Sequence, residues 1–593
     1  MTDRPGSARE PGTPRGRELV GALLVYLALA YIFTASAWQD PTRRWIGICC
    51  DQEQSTWFLA WLPTALGSGQ NPLLTDRLNA PHGANLMWNT FSPVLALFVA
   101  PITRAGGPIL AYNVAALVAI ALSGLACFAA LTRYTKGALG ALVGGGLYCL
   151  SPYVASHTAL HLNLINVWAP PLFLIILDEL VARRRYRPER LGVALGVIGA
   201  LQLLTSEEVL AMSAVVGALL VGVLALVVHE RAAIAASTRR LARAAVPGVT
   251  AFLLIGGLPL AVQFLGPQQV HGRVQTTTVF STDLLNVILP TPYQLLAPQI
   301  VTETSRRFSG LYHEATGYIG LPLLVVLGWF AATRWRDRRV QVATVMGLVL
   351  LVLSFGPELY VGGQPRNVPM PWLAVGGLPL IEHVLAGRLT LFMWLAVAGL
   401  VAMAIDHAAA LDVRSAGLRL TAIAFALVFV VPAPAASSTT EVPPFFRSWA
   451  QQGIADDEVI LFAPWFTNGA GADPMLWAAF AEARPRMYEG YVYVPDAEGR
   501  PRYGPAAGGL ARLMIEVQDH GVLPDLTAED RAAAARELTD AGVSVVIVGP
   551  TRYRQEMLAL FTDLFHQPPV EKDGVQLWPD VQLLLSRLAA VSG

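Results

Sequence analysis

The sequence Cys50-Asp51-Gln52-Glu53 is followed by Trp57-Phe58-Leu59-Ala60-Trp61-Leu62 inside a polar segment, residues 38–89, that long apolar regions flank. The segment continues with Gly69-Gln70-Asn71-Pro72 and Asn79-Ala80-Pro81-His82-Gly83. Acidic residues that lead into an aromatic amphipathic helix predict carboxylates at a bilayer surface, with the Trp and Phe side chains lying in the membrane interface. We therefore expect the chemical centre of the protein in this segment.

The composition predicts a polytopic membrane protein. The 593 residues are 54% hydrophobic and 14% charged, and the mean hydropathy is +0.49, which is too apolar for a soluble globule. The formal net charge is zero, so no global basic surface indicates a nucleic-acid partner. Lys136 and Lys572 are the only lysines among 42 basic residues, a bias that, with the abundant Ala and Gly, is typical of a high-GC bacterial genome. The four cysteines imply no disulfide framework.

The N-terminal residues 1–18 are rich in Pro, Gly and Arg, and we predict a disordered tail. Arginines precede an apolar run, residues 19–38, that is too long for the core of a signal peptide, so the run predicts a retained first helix. The positive-inside rule places the tail in the cytoplasm. The next loop, residues 38–107, is then expected on the outer side of a bacterial plasma membrane.

About eleven membrane helices are predicted from the apolar runs. Residues 91–103 are apolar but short and contain Pro93 and Pro101, so we expect a re-entrant or interfacial segment there. Counting it as a span would place the arginines between residues 183 and 190 outside, against the positive-inside rule. After the first helix, the predicted helices lie near residues 108–132, 137–152, 164–182, 191–206, 209–228, 244–265, 317–333, 339–356, 389–405 and 419–435.

The chain from residue 436 to 593 predicts an extracytoplasmic α/β domain, after a transmembrane domain of residues 19–435. It follows a Pro-, Ala-, Ser- and Thr-rich linker. Its sequence contains no Gly-rich phosphate loop, no metal-spaced His/Cys cluster and no nucleophile elbow. We therefore assign it acceptor contact or structural support. The predicted buried strands are 458–462 and 543–548, a late strand is predicted at 574–578, and the predicted helix is 527–541 with a Thr cap.

Asp51 is the candidate base in the outer loop. Asp51 and Glu53 are two residues apart, so on a helix they point in different directions and only one of them easily faces a membrane cavity. The competing interpretation of Asp51 is a solvated loop acid or a helix cap, because capping is the common role of Asp before a helix. Asp40, just past the first helix, is the alternative base, although it could equally be a helix-end charge beside Arg43.

Two histidines lie near the outer end of a predicted membrane helix. His157 and His161 are four residues apart and so share a helix face, a spacing that suits a metal ion or an anionic head group. No acidic third ligand is adjacent in sequence, so a divalent metal site stays open beside the plainer role of interfacial polar residues.

Acidic residues also occur where the chain enters or leaves the membrane on the outer side. Glu207 and Glu208 follow an apolar helix, and acids at such depth tend to face a cavity. Glu314 precedes Gly317-Tyr318-Ile319-Gly320 at the end of the long outer loop, where a capping acid in an aromatic belt is the alternative. All three are candidate substrate-binding residues.

Arg388 opens a predicted membrane helix on the outer side. A cation at a helix N-terminus is locally unfavourable, so something anionic is expected to compensate it. A phosphate would do so through paired hydrogen bonds, and a nearby carboxylate such as Glu382 would do so as well. Arg388 is therefore a candidate ligand of a donor phosphate.

The order of these features resembles integral-membrane glycosyltransferases of the C-type fold (GT-C) that use polyprenyl-phosphate sugars. The features are Asp51 in the first outer loop, the turn Gly69-Gln70-Asn71-Pro72, Ser151-Pro152-Tyr153 before His157, and Glu314 before Gly317-Tyr318-Ile319-Gly320. The resemblance covers roughly residues 19 to 435, and its motifs are short. Such enzymes often carry an Asp-Asp or Asp-Glu pair in the first loop, whereas this chain has Asp51-Gln52-Glu53, which leaves the identity of the base open.

The resemblance implies a specific reaction. A lipid-phosphate sugar has a leaving group that needs no protonation, so the enzyme supplies a base for the acceptor hydroxyl and positive charge for the phosphate. Asp51 would be the base in an inverting transfer, and Arg388, with His157 or His161, would hold the phosphate. The lipid tail would lie in a groove between helices, and an envelope glycan, lipid or protein acceptor would enter from outside.

Two other classes stay open. Acids, histidines and arginines at the ends of membrane helices also suit a transporter or lipid flippase, in which Glu207, Glu208 and Glu314 would be ion or proton sites. The sequence shows no obvious internal repeat, which favours the transferase. A non-catalytic partner in envelope assembly is the third class.

Overall fold

The computed structural model describes residues 14–227, 231–273, 279–310, 312–378, 381–467, 470–504 and 508–592. Of the predicted N-terminal tail, residues 1–13 lie outside the described residues, and the first helix begins at Gly16. Six of the described helices are long and apolar enough to cross a membrane, so the predicted count of about eleven spans is not confirmed. They are Gly16–Phe33, Pro108–Leu131, Ala138–His157, Glu207–Val227, Ile234–Leu265 and Ala386–Ala409.

The other predicted membrane helices are present but shorter than a full span. Two of them, Ala169–Asp178 and Leu321–Thr333, are only 10 and 13 residues long. The helix expected at 244–265 instead begins at Arg231, because the alanine- and arginine-rich sequence ahead of the apolar run also favours helix. The segment 91–103 forms the 14-residue helix Pro93–Gly106, which is also short of a span.

The helices are numbered here in chain order. They are α1 (Gly16–Phe33), α2 (Asp51–Gly67), α3 (Pro93–Gly106), α4 (Pro108–Leu131), α5 (Ala138–Cys149), α6 (Pro152–His157), α7 (Ala169–Asp178), α8 (Pro188–Leu203), α9 (Glu207–Val227), α10 (Arg231–Leu265), α11 (Gln299–Ser305), α12 (Leu321–Thr333), α13 (Arg338–Ser354), α14 (Trp372–Val375), α15 (Thr390–Ala409), α16 (Val413–Val428), α17 (Pro444–Arg447), α18 (Asp473–Phe480), α19 (Gly509–His520), α20 (Ala528–Asp540), α21 (Arg554–Phe565) and α22 (Val581–Ser592).

The strands are short and lie mostly in the C-terminal part of the chain. They are β1 (Arg44–Ile46), β2 (Leu74–Thr75), β3 (Ala84–Asn85), β4 (Glu358–Val361), β5 (Gln364–Pro369), β6 (Ser437–Thr439), β7 (Val459–Ala463), β8 (Arg486–Met487), β9 (Tyr493–Pro495), β10 (Pro501–Tyr503), β11 (Val543–Val548), β12 (Val570–Lys572) and β13 (Val575–Trp578).

The described chain divides into two compact units. Unit 1 consists of Met1–Trp38, Ala115–Gly256 and Gln275–Ala436, as far as these ranges are described. Unit 2 consists of Gln39–Val114, Gly257–Val274 and Ser437–Gly593, within the same limits. The outer loop 38–107 was predicted to be part of the transmembrane domain, whereas in the structure residues 39–114 belong to the same compact unit as the C-terminal domain.

Unit 2 contains a mixed five-stranded sheet in the order β12-β13-β11-β7-β8. The central strands β7 and β11 are parallel, and nearly all of their residues are buried, as their continuous apolar sequences predict for strands covered on both faces. Thr527 caps α20 and forms a capping box with Asp530. The predicted strands and helix of this domain are therefore present.

The aromatic residues of α2 are buried, contrary to the expectation of a membrane-interface helix. Trp57 and Trp61 have 0% and 1% of their surface exposed, and their rings stack at 5.6 Å. The helix packs against α3 and α18 within unit 2. The sequence pattern of Trp and Phe does not distinguish a lipid surface from a protein partner, because both are apolar environments next to water.

Candidate functional site

Arg388 is the centre of a buried charged cluster in unit 1. Its Nε donates to Glu314 Oε2 at 3.0 Å, its Nη2 donates to Glu314 Oε1, and its Nη1 donates to Glu208 Oε2. Arg388 and Glu314 are 7% and 8% exposed. The compensating anions predicted for Arg388 were a phosphate or Glu382, and the carboxylates that the structure places on it are Glu314 and Glu208.

Hydrogen bonds between two chain segments hold Arg388 opposite Glu314. Arg388 lies in a 3₁₀ turn, Ala386–Leu389, that leads into α15. Thr390 and Thr316 share a hydroxyl–hydroxyl bond of 2.6 Å, and Trp394 Nε1 donates to the Thr316 carbonyl at 3.3 Å. The turn that carries Glu314 is therefore fixed against the start of the helix.

Two histidines complete the cluster. His157 Nδ1 lies 3.1 Å from His161 Nδ1, and His157 Nε2 lies 3.8 Å from Glu314 Oε2. His157 is fully buried, and its Nε2 has no hydrogen-bond partner among the described residues. One ligand atom from each of His157, His161 and Glu314 lies within 4.8 Å of the others, so the third ligand that was missing from the local sequence comes from a distant segment.

The electrostatic balance of the cluster favours a cation. Burial raises the pKa of the Glu314 carboxyl, but the charges of Arg388 and then His157 outweigh it and lower that pKa to about 2. Two carboxylates, Glu208 and Glu314, contact the single arginine, so the acidic side chains outnumber the permanent cation. Imidazole and carboxylate groups are common ligands of Zn²⁺ and Mn²⁺, so these residues fit a divalent metal ion.

Several candidate substrate-binding residues lie in one cluster, and a neighbouring residue was not predicted. Of the candidate substrate-binding residues, the structure brings together Arg388, His157, His161, Glu208 and Glu314, while Glu207 is the half-buried first residue of α9. His313 was not predicted, although its carbonyl accepts from Ser156 Oγ at 2.6 Å and joins the Glu314 turn to α6. The sequence signal that could have identified His313 was its position next to Glu314.

Asp51 lies in unit 2 as the first residue of α2. The capping position is Cys50, so Asp51 is neither the helix cap nor a loop acid. Its carboxylate Oδ1 accepts a hydrogen bond of 2.7 Å from the Tyr491 hydroxyl. The arrangement therefore presents a half-buried, oriented carboxylate.

The two alternative bases have different surroundings. Glu53 is 5% exposed, and its burial, with the charge of Asp473, raises the pKa of its carboxyl to about 8. Glu53 therefore holds its proton at pH 7 and is a poor base there. Asp40 is half-buried and accepts a bond of 3.2 Å from the Thr42 hydroxyl.

An aromatic group beside Asp51 was not predicted. Tyr491 stacks on Phe466 with ring centroids 4.0 Å apart and approaches Tyr503 at 5.0 Å. Gln54 donates to the Tyr491 carbonyl. The closely spaced tyrosines between residues 488 and 503 were the sequence signal, but nothing local connects them to a residue in the first loop.

Comparisons with known proteins support the fold. A family model described as "Domain of unknown function (DUF6311)" matches residues 22–433. No curated protein matches the chain. Among solved structures, the arabinofuranosyltransferase AftD from Mycobacteria is similar with a TM-score of 0.55 and 14% identity, over 96% of this chain and 40% of AftD. The chain thus spans less than half of the length of that protein.

A second solved structure is less similar. The oligosaccharyltransferase AglB from Archaeoglobus fulgidus, in complex with an inhibitory peptide and a dolichol-phosphate, gives a TM-score of 0.48 at 12% identity, over 93% of this chain and 71% of AglB. The likeness to AftD, together with the apolar helices, shows a membrane protein with a GT-C-like fold, which confirms the predicted fold at that level.

Proposed function

This chain belongs to the DUF6311 family, whose description names no activity, and we propose that it is a glycosyltransferase. It moves a sugar from a polyprenyl-phosphate donor to a cell-envelope acceptor, with inversion, on the outer face of a bacterial plasma membrane. The N-terminus is cytoplasmic, and the C-terminal domain is extracytoplasmic. A fold alone does not assign an activity, so the proposal rests on the sites.

The observation that carries the proposal is the oriented carboxylate of Asp51. A glycosyl transfer to a hydroxyl requires a base within hydrogen-bond reach of the acceptor. The Tyr491 hydroxyl holds the Asp51 carboxylate at 2.7 Å, and this carboxylate would accept the proton of the acceptor. Asp51 is the catalytic base in this proposal, with Asp40 as the alternative, and Glu53 is the weaker candidate because it is protonated at pH 7.

The leaving group is a lipid phosphate, which needs positive charge rather than a proton. His157, His161 and Glu314 would hold a divalent metal ion, which would stabilise the negative charge of the departing phosphate. Arg388 orients Glu314 through two parallel hydrogen bonds. Three of the five N–H groups of Arg388 donate to carboxylates in the described structure, and the other two would bind a phosphate oxygen.

An apolar cavity of unit 1 supports a lipid-linked donor. It has a volume of about 470 Å³ and is lined by α15 residues from Phe392 to Met403 and by α9 residues such as Leu220. Phe392 is four residues after Arg388, about one helical turn. A prenyl chain of the donor would lie in this cavity.

The test is transfer of a labelled sugar. Purified protein in detergent is incubated with radiolabelled polyprenyl-phosphate sugars and with envelope glycan, lipid and protein acceptors. We expect label to pass from at least one donor to an acceptor, and no transfer by an Asp51→Asn variant that is folded. Donor consumption that is equal in the parent and in the Asp51→Asn variant would contradict the proposal.

A lipid-linked saccharide transporter is the second candidate. Ionisable residues at the ends of candidate spans, such as Glu208 and Arg388, are also typical of transport sites. Reconstitution into liposomes with a fluorescent polyprenyl-phosphate sugar in one leaflet distinguishes the two. Movement of the label across the bilayer without chemical change would favour the transporter.

A further inference from the structure

A second large cavity lies within unit 2 and is separate from the carboxylate of Asp51. Its volume is about 1030 Å³, in the range of sites for organic ligands. One wall is the C-terminal half of α2, from Ala60 to Gly67, and other walls come from α3, α17 and α18. Asp51 is nine residues before Ala60, so about 14 Å of helix separates the two.

The lining of this cavity carries an excess of positive charge. It contains two carboxylates, Asp456 and Glu482. Five arginines also line the cavity, so the positive charges of the lining exceed the negative charges by three. The arginines are Arg43, Arg77, Arg104, Arg447 and Arg484.

Three of the five arginines are not neutralised by carboxylates. Arg484 pairs with Asp456 at 2.9 Å, and Arg77 pairs with Asp76 at 3.3 Å. No described carboxylate forms an ion pair with the three remaining arginines. They are Arg43, Arg104 and Arg447.

Two of these arginines are held in the lining by uncharged groups. Arg447 lies over the ring of Phe480 at 4.2 Å, and Arg104 Nη2 donates to the Pro63 carbonyl at 3.1 Å. Both contacts hold the guanidinium groups without neutralising them. Partial burial and the charge of Arg43 lower the pKa of Arg447, and both arginines line the cavity.

We propose that this cavity binds a phosphate-bearing organic ligand. Arginine forks match phosphate oxygens in geometry and charge, and a bound phosphate removes the repulsion between Arg43 and Arg447. A phosphate ion alone occupies a small part of the cavity, and Trp61 and Phe480 in the walls provide aromatic surface for an attached sugar or glycerol. The ligand is either a soluble sugar phosphate or the head group of an anionic lipid. The proposal does not depend on glycosyl transfer.

The test measures binding to the purified full chain by calorimetry in low-salt buffer. The probes are glucose 1-phosphate, short-chain phosphatidylglycerol and, as an uncharged control, glucose. We expect at least one phosphate-bearing probe to bind and glucose not to bind. The double variant Arg43→Gln with Arg447→Gln should weaken binding at least tenfold, and Arg536→Gln, an exposed arginine outside the cavity, should change it less than twofold.

Thermal unfolding is the second measurement, and it shows whether a loss of binding in the double variant comes from unfolding. Because removal of either arginine relieves a repulsion, the apparent Tm of the double variant without probe should equal or exceed that of the parent, and the probe should raise the Tm of the parent only. Binding of glucose 1-phosphate identifies a soluble ligand, and binding of phosphatidylglycerol alone identifies a lipid head group. Absence of binding by both probes, or equal affinity in the double variant, overturns the proposal.

Discussion

Tyr491 donates its hydroxyl hydrogen to Asp51 across 440 residues of chain, with an O–O distance of 2.7 Å. A second hydrogen bond holds Tyr491 against α2, because the side chain of Gln54, in the first turn of this helix, donates to the Tyr491 carbonyl. Thr90 in turn donates to Gln54 Oε1 at 2.9 Å. The orientation of the candidate base therefore depends on Tyr491, which lies just before the hairpin of β9 and β10, and not on the first loop alone.

Removal of this hydrogen bond should lower the rate of transfer without removing the base. A hydrogen bond to a charged group contributes about 1.5–3 kcal/mol, so we expect Tyr491→Phe to reduce the transfer rate by about tenfold. Tyr503→Phe, which changes another hydroxyl of the same aromatic group, is the matched control and should have a smaller effect. Equal rates in Tyr491→Phe and the parent would show that Tyr491 does not position Asp51.

Replacement of the base itself should have a much larger effect. A general base contributes about 10²- to 10⁴-fold to a rate. Asp51→Asn keeps the shape of the side chain but cannot take a proton, so we predict a folded, membrane-inserted protein whose transfer rate is at least about 10²-fold lower. If Asp40→Asn abolished transfer while Asp51→Asn retained it, Asp40 would be the base.

The Glu53 carboxyl should affect stability more than rate. Its folded pKa of about 8 lies above the ordinary value of 4.5, so the folded state binds the proton more tightly, and the resulting stabilisation is full below about pH 4.5 and lost as the pH rises through 8. We expect the Tm of the parent to fall between pH 5 and pH 8.5, and to fall less in Glu53→Gln. Its transfer rate at pH 7 should stay close to that of the parent.

The control for Glu53 is Glu516→Gln, which changes an exposed carboxyl of the same unit. Its pH dependence of Tm should match that of the parent. Some dependence should also persist in Glu53→Gln, because burial raises the pKa of Glu489 to about 8 as well. A Glu53→Gln variant with an unchanged Tm profile but a hundredfold loss of rate would make Glu53 a catalytic residue.

Arg388 should not be replaceable by lysine. Arg388→Lys keeps the positive charge but loses the two-bonded contact with Glu314. We expect at least about a tenfold loss in kcat/KM for the donor, together with weaker metal binding, because Glu314 is no longer oriented. The control is Arg190→Lys, at an exposed position of unit 1. If Arg388→Lys had the same kcat/KM and metal affinity as the parent, Arg388 would have a structural role only.

Metal removal tests the histidine cluster directly. Dialysis against a chelator should abolish transfer, and Mn²⁺ or Zn²⁺ should restore it. Independently of activity, calorimetry should detect one metal ion per chain, with at least about tenfold weaker affinity in His157→Gln and no change in His82→Gln, which alters an exposed histidine of unit 2. Full activity after chelation, with no metal bound to the parent, would contradict the assignment.

The local sequence determined most of the secondary structure. Apolar runs and buried strands depend on residues that are close in the chain, so α4, α9, β7 and β11 were predicted near their observed positions. The cap of α20 at Thr527 was also predicted, because a capping box is a contact over three residues. The sequence also indicated which residue types carry chemistry, since charged residues near apolar helices are costly and therefore few.

Only the tertiary structure decided which of these residues meet. Arg388 lies 74 residues from Glu314 and 180 from Glu208, and a local pattern does not specify which of several carboxylates neutralises a buried arginine. The burial of Trp57 depends in the same way on α18, a distant segment of unit 2. Spacing along the chain determines helices and strands, whereas burial and charge pairing depend on contacts between distant segments, which the sequence determines only through the complete fold.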